Sequence, residues 1–193
     1  MKKLSIALLT LPLVGCVSFG AKPPASLLSL TADQQVAVGQ PQSSATAKTV
    51  TILVPSTPQA LATNRVPVQS GATDIAYLKD ALWVETPSRL FARLLSDTIG
   101  AKTGRVVMSG AQSLADPGAR LSGELRMFGV DATSTSAVVT YDAALVRDDG
   151  GALEKRRFEA RVPVSAIEPA PVGTALNQAA NQVAGEVADW VGR

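Results

Sequence analysis

Three segments between Leu121 and Val162 alternate apolar and polar residues with a period of two, and they constrain the fold more than any other feature of the chain. The first sets Leu121, Gly123, Leu125 and Met127 against Ser122, Glu124, Arg126 and Phe128. The second sets Ala137, Val139, Tyr141, Ala143 and Leu145 against Val138, Thr140, Asp142, Ala144 and Val146. The third sets Phe158, Ala160 and Val162 against Lys155, Arg157, Glu159 and Arg161. Successive strand side chains point to opposite faces, so this pattern predicts an antiparallel meander with one dry and one wet face. Asp148-Asp149-Gly150-Gly151 supplies a strong turn between the last two strands.

A dry sheet face needs a cover, and two helical stripes provide it. Thr86 and Pro87 read as an N-cap and a first helical residue. The stripe that follows is Leu90, Phe91, Leu94, Leu95 and Ile99, with Gly100 as the expected stop. Pro169 and Pro171 open a second helix carrying Val172, Leu176, Ala179, Ala180, Val183, Val187, Trp190 and Val191 on one side. Asn177, Gln178, Asn181, Gln182, Glu186 and Asp189 occupy the other. Phe91 and Trp190 lie on these stripes and read as core.

Upstream, Ser26–Leu30 is a candidate first strand, and residues 31–48 read as a mobile polar loop without periodicity. Thr49–Val54 alternates β-branched residues up to Pro55 and carries apolar residues on both faces, which places it centrally in a sheet. Arg65–Gln69 and Asp74–Leu78 flank a short turn and predict a hairpin, with Pro67 putting its arm at an edge. Arg105–Met108 is a further short strand. The expected fold is a single small α/β domain over residues 26–193. Its mixed, largely antiparallel sheet of about six strands carries two main helices.

Chemistry is narrowed by what the chain lacks. It contains 193 residues and no histidine, which removes Ser-His-Asp triads and histidine metal sites. It has no GxxxxGK[ST] loop and no GxGxxG, so no nucleotide motif is present. The formal charge of +2 comes from Lys2 and Lys3, and the remainder is balanced. No basic stripe for nucleic acid is visible. Carboxylates remain available for acid-base work, but no local arrangement of them suggests a catalytic pair. No cofactor or metal site is expected, and no catalytic residue is assigned. Two aromatic residues outside the stripes have two readings. Tyr77 and Trp83 form either a satellite core tying the hairpin to the first helix or a protein or lipid contact surface.

The amino terminus explains the single cysteine. Lys2 and Lys3 precede an apolar run from Leu4 to Val14, too short to remain as a membrane span. Leu13-Val14-Gly15-Cys16 follows, an aliphatic-x-small-Cys sequence that resembles a bacterial lipobox. This reading makes residues 1–15 a signal peptide and Cys16 the site of lipid attachment. Residues 16–25, with Gly20, Pro23 and Pro24, become a lipid-anchored tether. Each buried methylene contributes about 0.8 kcal/mol, so several acyl chains hold such a protein on a membrane. Position 17 is Val, not the Asp that favours inner-membrane retention in enteric bacteria, so the expected location is the periplasmic face of the outer membrane.

The ordered set of features resembles the ABC-type transport auxiliary lipoproteins, the lipoprotein partners of MCE-type lipid transport systems. The set comprises the lipobox, an early Leu-x-Leu strand, the Val50–Pro55 strand, Tyr77, and Trp83-x-Glu85-x-Pro87 ahead of a Leu-rich helix. It continues with Leu121-x-Gly123-Glu124-Leu125, Phe128 with Asp131, Ala143-x-Leu145, Phe158, and Ala175-Leu176-Asn177-Gln178-Ala179 ending at Trp190-Val191. The polar stretch at 31–48 is longer than the family pattern leads one to expect. The resemblance implies a non-enzymatic accessory lipoprotein that docks a periplasmic MCE-domain protein, with the permease and ATPase on other chains. A homo-oligomer is compatible with it. The alternatives are a lipoprotein carrying lipid in its own apolar pocket, a carboxylate-based periplasmic hydrolase, or an assembly lipoprotein of another envelope machine.

Overall fold

The computed structural model describes residues 26–110, 112, 118–148 and 150–193. The stretches expected to be a signal peptide and a tether, with Cys16, lie outside the described residues, as does Asp149. In chain order the elements are β1 (Thr49–Ile52), β2 (Arg65–Gln69), β3 (Ile75–Leu82), α1 (Pro87–Thr103), β4 (Val106–Met108), β5 (Ala119–Asp131), β6 (Ser136–Val146), β7 (Glu154–Pro163) and α2 (Pro169–Val191). Among the described residues, seven strands form one mixed sheet. The meander β5-β6-β7 is antiparallel, as its alternation requires. The far edge of β5 is shared: β1 runs parallel to it at Ala119–Leu121 and β2 parallel to it at Val130–Asp131. β3 closes one end antiparallel to β2, and β4 closes the other parallel to β1.

The helical stripes cover the dry face. Leu90, Phe91, Leu94, Leu95 and Ile99 are buried, as is the whole apolar stripe of α2. Phe91, Phe128, Tyr141 and Leu176 are fully enclosed. The aromatic rings interlock edge-on, Phe91 to Tyr141 at 5.3 Å and Phe158 tilted against Trp190 at 5.6 Å. Such pairs add about 0.5–1.5 kcal/mol each beyond the area they bury.

Several local expectations change. Ser26–Leu30 forms no strand; Leu28 alone makes a parallel bridge to Trp83, with its N–H donating to Leu82 and its carbonyl accepting from Val84. Gly100 does not end α1. It is buried inside the helix, which runs on to Thr103 and stops at Gly104 in the left-handed conformation, φ 67°. Glycine there avoids the steric penalty of a Cβ. Thr86 holds the N-cap position, but its hydroxyl makes no capping bond to the helix backbone.

Pro67 is not on an edge strand, because β2 lies between β3 and β5. The ladder to β5 begins only at Val68, so the missing proline N–H is not called upon. Gly129 makes room beside it: a Cβ there would fall 2.4 Å from the Pro67 carbonyl oxygen.

A further change concerns faces. Between Leu125 and Met127 the β5-β6 register shifts, and Arg126 is the additional residue. A bulge moves every later side chain to the opposite face. Phe128 and Val130 therefore join Leu121 and Leu125 in the core, and Met127 leaves it half-buried. Strict alternation had placed Phe128 on the wet face.

Residues 31–48 form no helix or strand. Their start is held by two asparagines of α2. The Thr31 N–H donates to Asn177 Oδ1 and the Asp33 N–H to Asn181 Oδ1, both at 2.9 Å. Asn181 Nδ2 returns a bond to the Thr31 carbonyl. Asn181 is consequently buried and does not face solvent with the other polar residues of α2.

Candidate functional site

Tyr77 lies half-buried on β3, its hydroxyl donating to the Ala60 carbonyl at 3.3 Å and the Arg65 guanidinium stacked 4.3 Å from its ring centre. Part of its surface stays open to a partner. Trp83 does not share that surface. It is 1% exposed, its ring edge-on to Phe128 at 5.4 Å, and Phe128 in turn meets Phe91 at 6.4 Å. The core reading of Trp83 replaces the contact reading, because the bulge at Arg126 swings Phe128 beneath it.

The outer face of the meander is a lattice of guanidinium and carboxylate groups. Asp142 receives two bonds from Arg157, from Nε at 2.5 Å and Nη2 at 2.7 Å, and Arg126 stands 3.7 Å away. Those bonds hold the Asp142 carboxyl below its ordinary range. Arg161 bonds Glu159 and Asp131. Glu159 is likewise lowered, first by Arg161 and then by the Thr140 hydroxyl. A cavity of about 550 Å³ over Gly123, Glu124, Asp142 and Lys155 opens on this face. Carboxylates held ionised by adjacent arginines are poor proton donors at neutral pH. This face therefore suits polar contact with another surface better than acid-base chemistry.

A second concavity lies on the other side, between α1 and β4, with a volume of about 460 Å³. Ala92, Ser96 and Gly100 form its helical wall, Ile52 and Val54 its floor, and Val107 and Met108 the opposite wall. Val36 roofs one end; a Cβ on Gly100 would stand 3.4 Å from its methyl group. Arg93 and Asp97 are the charged residues lining it. Both also line a smaller cavity of about 190 Å³ beneath Leu30, Ala32 and Gln35. Arg93 is already committed to Glu85 at 2.5 Å. Burial raises the Asp97 carboxyl above its ordinary range, opposed by the Arg93 charge.

Asp97 was not visible as a site residue in the sequence. One acid on a helix among Leu94, Leu95 and Ile99 reads as part of a solvated flank. Only the position of β4 turns that flank into a wall.

Among the described residues, no helix is long and apolar enough to cross a membrane. A family model described as "ABC-type transport auxiliary lipoprotein component" matches residues 28–188. No curated protein matches the chain in sequence. Among solved structures, protein XCC0632 from Xanthomonas campestris, assigned to DUF330, is similar with a TM-score of 0.69 at 19% identity, covering 86% of this chain and 94% of that one. A second crystal structure, of an uncharacterized protein, has a TM-score of 0.64 at 16% identity, covering 84% and 99%. At those identities the likeness establishes a shared fold.

Proposed function

The chain belongs to the ABC-type transport auxiliary lipoprotein component family, and from that membership we propose that it is a non-catalytic outer-membrane lipoprotein that docks the periplasmic MCE assembly of a lipid-transporting ABC system. The family match over residues 28–188 carries the reading. The lipobox ending at Cys16 supports the anchor, and Val17 supports the outer membrane as its location. Without a nucleotide motif of its own, the chain would leave ATP hydrolysis to a separate subunit.

In this reading the chain from Cys16 through the tether to Leu28 spans at most about 40 Å, at roughly 3.4 Å per residue. It lets the domain meet a partner rising from the inner membrane. The half-buried Tyr77 is assigned to the contact surface. Trp83 acts behind it, holding β3 to α1.

The test is photo-crosslinking in intact cells from a benzoylphenylalanine placed at Tyr77, with inner and outer membranes fractionated separately. An adduct with the MCE-domain protein, and co-fractionation with the outer membrane that Cys16→Ser abolishes, are the expected results. An anchored protein giving no MCE adduct from Tyr77 or from any position on the outer sheet face would overturn the docking role. Membrane retention of the Cys16→Ser chain would overturn the lipid anchor.

A further inference from the structure

We propose that the free edge of β7 takes an extended acidic segment of a partner protein as an added strand of the sheet. Among the described residues the sheet has three outer strands, β3, β4 and β7. β4 is only three residues long. β3 is interrupted: its register against β2 shifts between Arg65 and Pro67, and Asp80 within it takes the left-handed conformation, φ 56°. Short or bulged edges resist an added strand. β7 has neither protection. It runs for ten residues, pairs with β6 from Glu154 to Pro163 without a register shift, and carries its proline only at the end.

The charge along β7 decides the occupant. Its bases, Lys155, Arg156, Arg157 and Arg161, outnumber its acids, Glu154 and Glu159. Both acids are already held, Glu154 by Arg147 and Glu159 by Arg161. Arg157 and Arg126 share Asp142. Lys155 adds its field to that acid without an ion pair. Arg156 lies over the Phe158 ring, 4.9 Å from its centre. Lys155 and Arg157 point to one face two residues apart, so acids at alternate positions of an added strand would stand opposite them. Main-chain bonds along the edge would hold that strand, and its side chains would set its identity.

A second copy fits this edge poorly. Antiparallel self-pairing centred on Glu159 would set Arg157 against Arg161 and Glu159 against itself. Centred on Phe158, it would set Lys155 against Arg161. Like charges directly opposite are destabilising.

The edge is separate from Tyr77, which lies on β3 at the other side of the sheet. The experiment uses the full chain carrying Cys16→Ser and short fluorescent peptides that alternate valine with glutamate or valine with lysine. The glutamate peptide is expected to bind about tenfold more tightly by anisotropy, and to slow amide exchange in β7 but not in β3. The same peptide N-methylated throughout keeps its charge and loses its backbone donors, and should bind about tenfold more weakly. Lys155→Glu combined with Arg156→Glu changes two exposed positions; it should bring the glutamate and lysine peptides within about twofold. Equal affinity of the unmodified edge for the two peptides would overturn the proposal. So would a glutamate preference that survives the double variant, N-methylation without effect, or no saturable binding up to about 1 mM. Self-association of the free chain that slows exchange in β7 would assign the edge to a second copy and overturn the acidic partner.

Discussion

Arg105 and Asp148 meet across the domain, with Arg105 Nη1 donating to both carboxylate oxygens at 2.9 and 3.1 Å. The same nitrogen donates to the Thr49 carbonyl at 3.1 Å. The Arg105 side chain is 8% exposed and that of Asp148 30%. One guanidinium thus ties the start of β4 and the start of β1 to the turn between β6 and β7. From sequence, Asp148 reads as an ordinary solvated turn acid; its partner is 43 residues away.

Removing Asp148 leaves the buried Arg105 guanidinium without its carboxylate, and removing Arg105 leaves the Asp148 carboxylate with Lys48 alone. Asp148→Asn is expected to cost about 1–3 kcal/mol and Arg105→Ala about 2–4 kcal/mol, measured by urea unfolding. Burial pushes the Asp148 carboxyl up, but the hydrogen bonds and charge of Arg105, aided by Lys48, outweigh it and hold it below its ordinary range. A depressed carboxylate contributes stability that is present above its unfolded pKa, about 3.9, and is lost as pH falls through the lower folded value. The gap between wild type and Asp148→Asn should therefore be full at pH 7 and close below pH 4. A gap that widened on acidification would contradict the assignment.

Gly129→Ala tests how Pro67 is tolerated inside the sheet. The added Cβ would lie 2.4 Å from the Pro67 carbonyl oxygen and 2.7 Å from its ring. Backbone cannot yield as a flexible side-chain tip can, so a loss of about 2–3 kcal/mol is expected. Amide exchange at Gln69 should accelerate more than at Val139 in the meander. Equal acceleration at both positions would show that β2 does not bear the strain.

Two glycines four residues apart should respond oppositely to alanine. Gly104 occupies the left-handed region, and Gly104→Ala is expected to destabilise by about 1 kcal/mol. Gly100 is interior to the helix, with ordinary contact distance to Val36 and Val107 for a new methyl group. Gly100→Ala is expected to be neutral or to stabilise by up to about 1 kcal/mol. Thermal unfolding of the pair distinguishes this from a helix that ends at Gly100, for which the order would reverse.

Trp83 and Tyr77 should separate by stability. Trp83→Ala removes a buried ring from an aromatic cluster and is expected to cost about 3–5 kcal/mol. Tyr77→Ala gives up one long hydrogen bond and the stacked Arg65, with an expected loss of about 1–2 kcal/mol. Chemical denaturation measures both. A larger loss at Tyr77 than at Trp83 would reverse their assignments as contact and core.

Much of the architecture was legible because its causes are local. β7 and the second half of β6 keep a two-residue period, and Tyr141, Ala143, Leu145, Phe158, Ala160 and Val162 go inside as that period demands, whereas Ser136–Tyr141 is buried on both faces. The stripe from Val172 to Val191 is buried along its length. The misreadings occur where a local rule meets a distant partner. Gly100 resembles a helix stop until α1 is seen to continue to Gly104. Asn181 resembles a solvated residue until the backbone of Thr31 and Asp33 arrives to bond it. Pro67 resembles an edge residue until Gly129 is found beside it.

The candidate site was less legible for the same reason. The lipobox reading of Cys16 rests on a contiguous stretch of chain and needs no distant partner. Tyr77, which is exposed in part, and Trp83, which is not, have similar sequence surroundings. The bulge at Arg126, which decides between them, has no strong local signature. Asp97 acquires its groove only because β4 lies parallel to β1 at the sheet's end.

By itself, then, the sequence determined the period of β7 and of the two helices, the lipobox-like run ending at Cys16, and the absence of histidine and of the two nucleotide-loop motifs. Those follow from the spacing and identity of neighbouring residues. The tertiary structure alone decided the sharing of β5 between β1 and β2, the inward turn of Phe128, the Arg105–Asp148 pair and the placing of half-buried Asp97 beside the groove between α1 and β4. Each depends on which distant segments pack together, a choice made by the total burial of the sheet and its two helices rather than by any one stretch of chain.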